Sequence, residues 1–510
     1  MVLRKTKNPR VHGSKREGIG NELCCKLLAA LPGTFDHAPQ HLWERAIISW
    51  IRIRDAASRH DLACGCEVQS NSERGQDYFT STPMSRHFLQ LIRPTRLLAA
   101  GFLLTLGLGC AGTRTRAAPR GVAEPGLARG IAAADSLISA SIGTLIPGAV
   151  FLVAKDGRVV HERAFGYAQL NDYSGRRLAS PIAMKASTIF DLASVTKVMA
   201  TTAAVMLLAD RGRIDVAAPV SRYLPDFTGP HLDSITVRHL LQHSSGLVQW
   251  QPLYYHARNS AETYGVIRQM PLGWRVGEAR HYSDLGFMLL GYIVERVSGR
   301  PLDRFLEQDL YRPLGLRSTA FNPRARGFSE FAATEQGNVY ERHMVYDSTF
   351  GYRYSGDPTA WNGWRQYVLN GEVDDGNSFY ANGGMAGHAG LFSTAADLCV
   401  LLDLLNNRGA RGGKRYIRPE IVDLFLTRDR YENYLGWQAP RDLPAGSFSH
   451  TGFTGTYVLG VPTHKLSIVL LTNRQNMGPD ARGYFPDIGP LQRAVSKAIV
   501  NGSATPQAGH

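Results

Sequence analysis

From residue 129 onward, stretches whose apolar residues recur with a helical period give way to stretches that alternate or run together as strands do. Residues 129–143 place their apolar side chains on one face of a predicted amphipathic helix. The next segment, "GAVFLVAKDGRVVHERAFGY" (148–167), reads as a β-hairpin, with Asp156-Gly157 as the turn between two β-rich arms. Helical patterns dominate from Ser194 to about residue 315. Residues 325–380 are rich in Gly, Tyr, Asn and Asp and hold no sustained period, which predicts an irregular insertion of loops. Near the end, "TYVLGVPTHKLSIVLLTN" gives two strands and "IGPLQRAVSKAIVNG" a closing helix. A hairpin early and a strand pair late predict one sheet assembled from both ends of the chain. Residues 129–500 then form a single α/β domain followed by a tail, 501–510.

The front of the chain has a different character. Of 57 Lys+Arg in the 510 residues, 18 fall in residues 1–120 against 9 Asp+Glu, so most of the net charge of +14 lies there. The remainder is close to balanced, which argues against nucleic acid as a partner. Arg93 and Arg96 precede fourteen nearly uninterrupted apolar residues, Leu97 to Cys110. About twenty would be needed to span a bilayer as a helix. The run fits a secretory signal over 84–110 and resembles a bacterial lipoprotein signal, in which Cys110 is the lipidated residue and the chain reaches the membrane through that anchor. Gly107 departs from that pattern, which usually has leucine there. Met84 is a natural start for such a signal, so residues 1–83 read as an extension upstream of the true start. A genuine cytoplasmic extension ahead of a short anchor is the alternative. Residues 111–128, small and Pro/Gly-containing, read as a linker. Cys24, Cys25, Cys64 and Cys66 lack zinc-like spacing, and Cys399 alone remains in the main domain, where it can form no internal disulfide.

Within the apolar stretch "FDLASVTKVMATTAAVMLLAD", the single charge between Leu192 and Ala209 is Lys197, three residues after Ser194. On a helix these positions share a face, so the ammonium reaches the hydroxyl. Ser194 is placed to open the helix, where free N–H groups and the macrodipole favour negative charge. Uncharged surroundings are expected to push Lys197 toward its neutral, proton-accepting form. A serine followed three residues later by lysine also occurs by chance, and a serine opening a helix is an ordinary N-cap.

Two further stretches change the weight of that pair. Tyr282-Ser283-Asp284 stands before another apolar helix, 88 residues after Ser194, and His450-Thr451-Gly452 is expected at the start of a strand 168 residues further on. Together these resemble the three signatures of the serine β-lactamase and penicillin-binding-protein superfamily: SxxK, a Tyr-x-Asn-type element, and Lys-Thr-Gly on an edge strand. The spacing and the tyrosine are similar to the class C β-lactamase, esterase and D-aminopeptidase branch. "LLQHSSGL" (240–247), "VSRYLPDF" (220–227) and "GGMAGHAGLFSTAADL" (383–398) agree. The resemblance implies a β-lactamase/transpeptidase-like fold, an antiparallel sheet flanked by helices with a helical subdomain. It also implies a serine hydrolase that needs no cofactor or metal. Ser194 would form an acyl-enzyme, Lys197 and Tyr282 would share the proton, and the backbone N–H groups of Ser194 and Phe453 would form the oxyanion hole. Asp284, His450, Thr451 and Gly452 would face the substrate.

Two departures bear on the substrate. Asp284 replaces an asparagine, and a carboxylate there favours a charged Lys197. His450 replaces lysine, so recognition of a substrate carboxylate is expected to be weaker and acid-dependent. The expected substrate is an ester or amide, a small molecule or a peptide, with D-amino-acid and peptidoglycan fragments in view. A D,D-carboxypeptidase, a weak class C-like β-lactamase, and an inactive peptidoglycan-binding relative are the alternatives. His243 and His388 are expected to fix loops, and Asp374-Asp375 to be solvated in a polar loop. "NNRGARGGKRY" lacks the first glycine of a P-loop, and no Gly-x-Ser-x-Gly elbow or HExxH occurs.

Overall fold

A computed structural model describes residues 121–503. The extension 1–83, the signal 84–110 with Cys110, and most of the linker and tail lie outside the described residues. Helix α1 (Pro125–Ser141) starts inside the stretch expected as linker, because Pro125 sits at the first helical position, where its missing N–H costs nothing. It leads into the expected hairpin, β1 (Gly148–Lys155) and β2 (Arg158–Asn171), followed by β3 (Arg177–Ala183).

The late segment supplies three strands: β4 (Phe448–Thr451), β5 (Thr456–Val461) and β6 (Leu466–Thr472). The six form one antiparallel sheet in the order β4-β5-β6-β1-β2-β3. The two ends of the chain meet along β1 and β6, with Val150 opposite Leu471 and Leu152 opposite Val469. Every residue of β6 is buried, and only Lys155 of β1 escapes burial, so these central strands read as continuous apolar runs.

Alternate side chains of the central strands feed two cores. Phe151, Val153, Ile468 and Leu470 pack on α1 and the closing helix α5 (Gly489–Ser503). These helices touch at Gly130, where a Cβ would stand 2.4 Å from the carbonyl of Ala498. On the other face Val150, Leu152, Val469 and Leu471 pack against α4 (Ala395–Asn406) and the helical half of the domain. That half contains α2 (Ala203–Asp210) and α3 (Asp284–Ser298). Each fully buried aliphatic side chain contributes about 1.5–3 kcal/mol.

The insertion is more regular than its sequence. A two-stranded pair (Ala333–Gln336 with Val368–Asn370) and helices Val339–Tyr346 and Gly376–Ala381 lie within it. These elements are short, and they bury Glu335, Glu341, Arg365 and Asp374, which breaks any apolar period.

Candidate active site

Ser194 does not open an α-helix directly. It lies in a 3-10 turn (Ala193–Val195), after which Lys197 begins a π-helical stretch (Lys197–Thr202) that runs into α2. In a 3-10 turn positions i and i+3 eclipse, and Lys197 Nζ donates to Ser194 Oγ at 2.9 Å. The wide turn leaves carbonyls that other elements must meet, and Tyr311 donates its hydroxyl to Met199 O at 3.1 Å. Ala193 takes the left-handed conformation (φ 44°), which costs a residue with a Cβ on the order of 1–3 kcal/mol. Asp191 holds it there by accepting the Ala193 N–H at 2.8 Å.

Lys197 is fully buried, and its Nζ lies 2.7 Å from Asp284 Oδ1 and 3.3 Å from the His388 carbonyl. Burial alone would favour the neutral amine. The Asp284 carboxylate, seconded by Tyr282, outweighs it and drives the lysine above its usual range. The expected neutral Lys197 is therefore corrected: it is an ammonium, because the carboxylate at 284 pairs with it directly. Asp284 sits in the first turn of α3, a favourable place for negative charge, capped by Ser283, whose Oγ accepts the Gly286 N–H.

Tyr282 lies beside Lys197, whose Nζ is 4.8 Å from the ring centroid. His243 supports the loop from below. It stacks on Tyr282 at 4.4 Å, its Nδ1 accepts the Ser283 N–H at 3.0 Å, and its carbonyl accepts the His281 N–H. Burial, with Arg280 and Lys197, holds it far below the usual histidine range. His388 pairs with Asp375 at 2.9 Å while its carbonyl faces Lys197. Both histidines thus make the loop-fixing contacts expected of them.

His450 and Thr451 close β4 instead of opening a strand, because Gly452 to Gly455 form the turn into β5. His450 is buried, and burial together with the Lys197 charge pushes its ring down to about 3. The expected acid dependence between pH 5 and 8 is thereby corrected: the imidazole is neutral throughout. Its Nδ1 stands 2.8 Å from the Thr451 carbonyl, which can only accept. The proton must be on Nδ1, which leaves Nε2 as a buried lone pair without a partner.

The turn after His450 is lashed to the residues just before Ser194. Thr454 Oγ1 donates to Asp191 O at 2.7 Å and Thr456 Oγ1 to Leu192 O at 2.9 Å. At Gly452 a Cβ would fall 2.4 Å from Leu192 O. Among the described residues no internal acceptor takes the N–H of Ser194 or of Phe453, so both amides are free to bind.

Asp374 and Asp375 are not solvated. The Asp374 N–H donates to Asp191 Oδ2 at 2.6 Å, and its Oδ2 accepts from Gln475 at 2.9 Å. Burial, then the mutual charge, raises Asp191 to about 7, while burial raises Asp374 to about 6. Burial opposes the charge on Asp375 too, but His388 brings it down to about 2. The insertion folds over these residues and shields them from water. Sequence reading missed Asp191, Thr454 and Thr456, whose only signal was adjacency to the motifs. It also missed Tyr352 of the insertion, which stacks on Trp250 at 6.4 Å and lies close enough to feel Asp284, Tyr282 and Lys197.

The sequence pattern of the Beta-lactamase family matches residues 134–489. An N-acetylmuramyl-L-alanine amidase of Bacillus subtilis (strain 168) is 35% identical over 371 residues, 67% of this chain and 80% of that one. A protein of Escherichia coli (strain K12), provisionally named a D-alanyl-D-alanine carboxypeptidase, is 32% identical over 368 residues, 67% of this chain and 81% of its own. Among solved structures, a family VIII carboxylesterase superposes with a TM-score of 0.56 at 18% identity, covering 75% of this chain and 99% of that one.

Proposed function

The chain belongs to the β-lactamase family of serine hydrolases, and on that premise we propose that it cleaves an amide in a peptidoglycan-derived fragment through an acyl-enzyme on Ser194. The observation that carries this reading is the 2.9 Å hydrogen bond from Lys197 Nζ to Ser194 Oγ, in which the half-buried serine is the one residue of an otherwise buried stretch (188–202) that solvent reaches. Lys197 works as an ammonium that orients the serine oxygen. As Ser194 attacks the carbonyl, its proton passes to the Tyr282 oxygen, and Tyr282 gives its own proton to the departing nitrogen. The C–N bond breaks, the amine leaves neutral, and the acyl group stays as a serine ester. Water repeats the route in reverse and releases the acid. The Ser194 and Phe453 amides receive the oxyanion, each worth about 3 kcal/mol in the transition state.

An amide linked to a muramyl acyl group is the first choice of substrate, supported by the likeness to the Bacillus subtilis amidase. A D,D-carboxypeptidase reaction is the second, supported by the Escherichia coli relative. Export and lipidation at Cys110, outside the described residues, belong to the same proposal and rest on the apolar run ending there.

N-acetylmuramyl-L-alanine and a D-alanyl-D-alanine peptide, incubated with wild type and Ser194→Ala, test the reading by amine release and intact protein mass. Release from the muramyl amide, with an adduct absent in the alanine variant, is expected. No release from either amide, with no serine adduct, would falsify it.

A further inference from the structure

His450 leaves the edge strand without charge, so a substrate carboxylate must find its cation elsewhere. Of the cations acting on the site, Lys197 is spent on Asp284, and Arg474 donates to the carbonyls of Phe453 and Pro486. Arg280 differs from both. Its guanidinium lies 5.8 Å from the Tyr282 ring centroid, and its charge reaches His243 and His450. The side chain is half-buried. It makes no hydrogen bond among the described residues, and Asp429 attracts it from beyond ion-pair distance. Asp429 accepts the N–H groups of Tyr431 and Asn433 through Oδ1, while its Oδ2 is buried with no hydrogen-bond partner among the described residues.

A half-buried guanidinium that packs on a ring yet donates no hydrogen bond is an unused fork of donors shaped for a carboxylate. Its position beside Tyr282 fixes which part of the substrate it meets, because Tyr282 is the group that hands a proton to the leaving atom. We infer that Arg280 is the specificity residue that binds a carboxylate on the leaving group, so that the preferred substrates release an α-amino acid or a short fragment carrying its carboxylate beside the cleaved nitrogen. This inference rests on the reading of Ser194 as nucleophile and Tyr282 as proton donor. It adds the chemistry of the departing half: the cation of the edge strand has moved to the loop that carries the tyrosine.

The test uses two acetate esters with matched leaving groups, 3-hydroxybenzoate (anionic) and methyl 3-hydroxybenzoate (neutral). Arg280→Met lowers the anionic-to-neutral ratio of kcat/KM by roughly tenfold or more, the size expected for a lost charged hydrogen bond, with the change mostly in KM. Arg280→Lys recovers part of the ratio. An unchanged ratio overturns the inference, and so does an equal drop with both esters that Asp429→Asn reproduces. In those cases the guanidinium merely holds the loop. If Arg280→Met does not fold, wild type answers instead: benzoate competes with the neutral ester and benzamide does not, and failure of benzoate to compete is fatal. Failure of the amidase reading looks different. The esters still turn over and report on Arg280, while N-acetylmuramyl-L-alanine stays intact.

Discussion

Lys197 and Asp284 form a buried ion pair at 2.7 Å in which the lysine side chain is entirely shielded from solvent. The neighbour of Ser194 is therefore held as a cation by a residue from another helix, 87 positions along the chain. Removing the carboxylate should expose both halves of that balance.

In Asp284→Asn, burial acts on Lys197 against Tyr282 alone. Breaking such a pair costs about 3–5 kcal/mol, and the loss should be largest near pH 7. The wild-type lysine, raised above its unfolded value, contributes stability that is fully present below the unfolded value and is lost as pH rises through the folded one. In the variant the direction reverses, since the unfolded chain then binds the proton more readily. Its deficit should shrink from pH 7 to pH 10 in urea titrations. A deficit constant with pH would mean that Lys197 stays charged without its partner.

His450 should show no ionisation between pH 5 and 8. Its folded value near 3 lies below that of an unfolded histidine. The stability tied to its neutral form is thus complete above about 6.5 and drains away as pH falls toward 3. Histidine ring NMR signals recorded from pH 5 to 8 check this, with His450→Gln as the assignment. A midpoint between 6 and 7 contradicts it. His450→Lys should favour carboxylate-bearing substrates selectively, and an equal gain on neutral esters means the residue does not face the carboxylate.

Asp374→Asn is expected to stabilise the protein at pH 8 by about 1 kcal/mol, because it removes a like charge from beside Asp191. Both carboxyls are raised, so their cost is absent below the unfolded value of 3.8, grows as pH rises from there and is complete above the folded values of about 6 and 7. The benefit should be gone only at about pH 3.5. Thermal melts at the two pH values measure it, and equal shifts at both would exclude repulsion as the cause.

Gly452→Ala tests the oxyanion site without touching Ser194. The added methyl cannot coexist with Leu192 O, so the turn bearing the Phe453 amide must back away. A fall in kcat of about a hundredfold to a thousandfold, with KM little altered, is the expected result. A change confined to KM would place Phe453 outside the oxyanion site.

The fold was legible where the pattern is local or continuous. Asp156-Gly157 marked the hairpin, and the buried runs of β1 and β6 announced a sheet fed from both ends. The three motifs pointed to residues that the structure gathers around Lys197. What sequence could not carry was the state of those residues. Lys197 looked set to lose its proton until the fold brought Asp284 against it. Asp374 and Asp375 sit in a polar stretch and read as solvated, yet the insertion buries them against Asp191. His450 kept the chemistry of a free histidine until burial near Lys197 removed it.

The joining of β1 to β6 also sets when the enzyme can exist. Ser194 stands in the first half of the chain, while the turn that completes its surroundings, with β5 and β6, stands near the end. Contacts so distant in sequence form late and slowly. A chain cut short before β6 would keep Ser194, Lys197 and Phe453 in its sequence but lose the strand that pairs with both β1 and β5. The early and late halves of the sheet would then have nothing to join them.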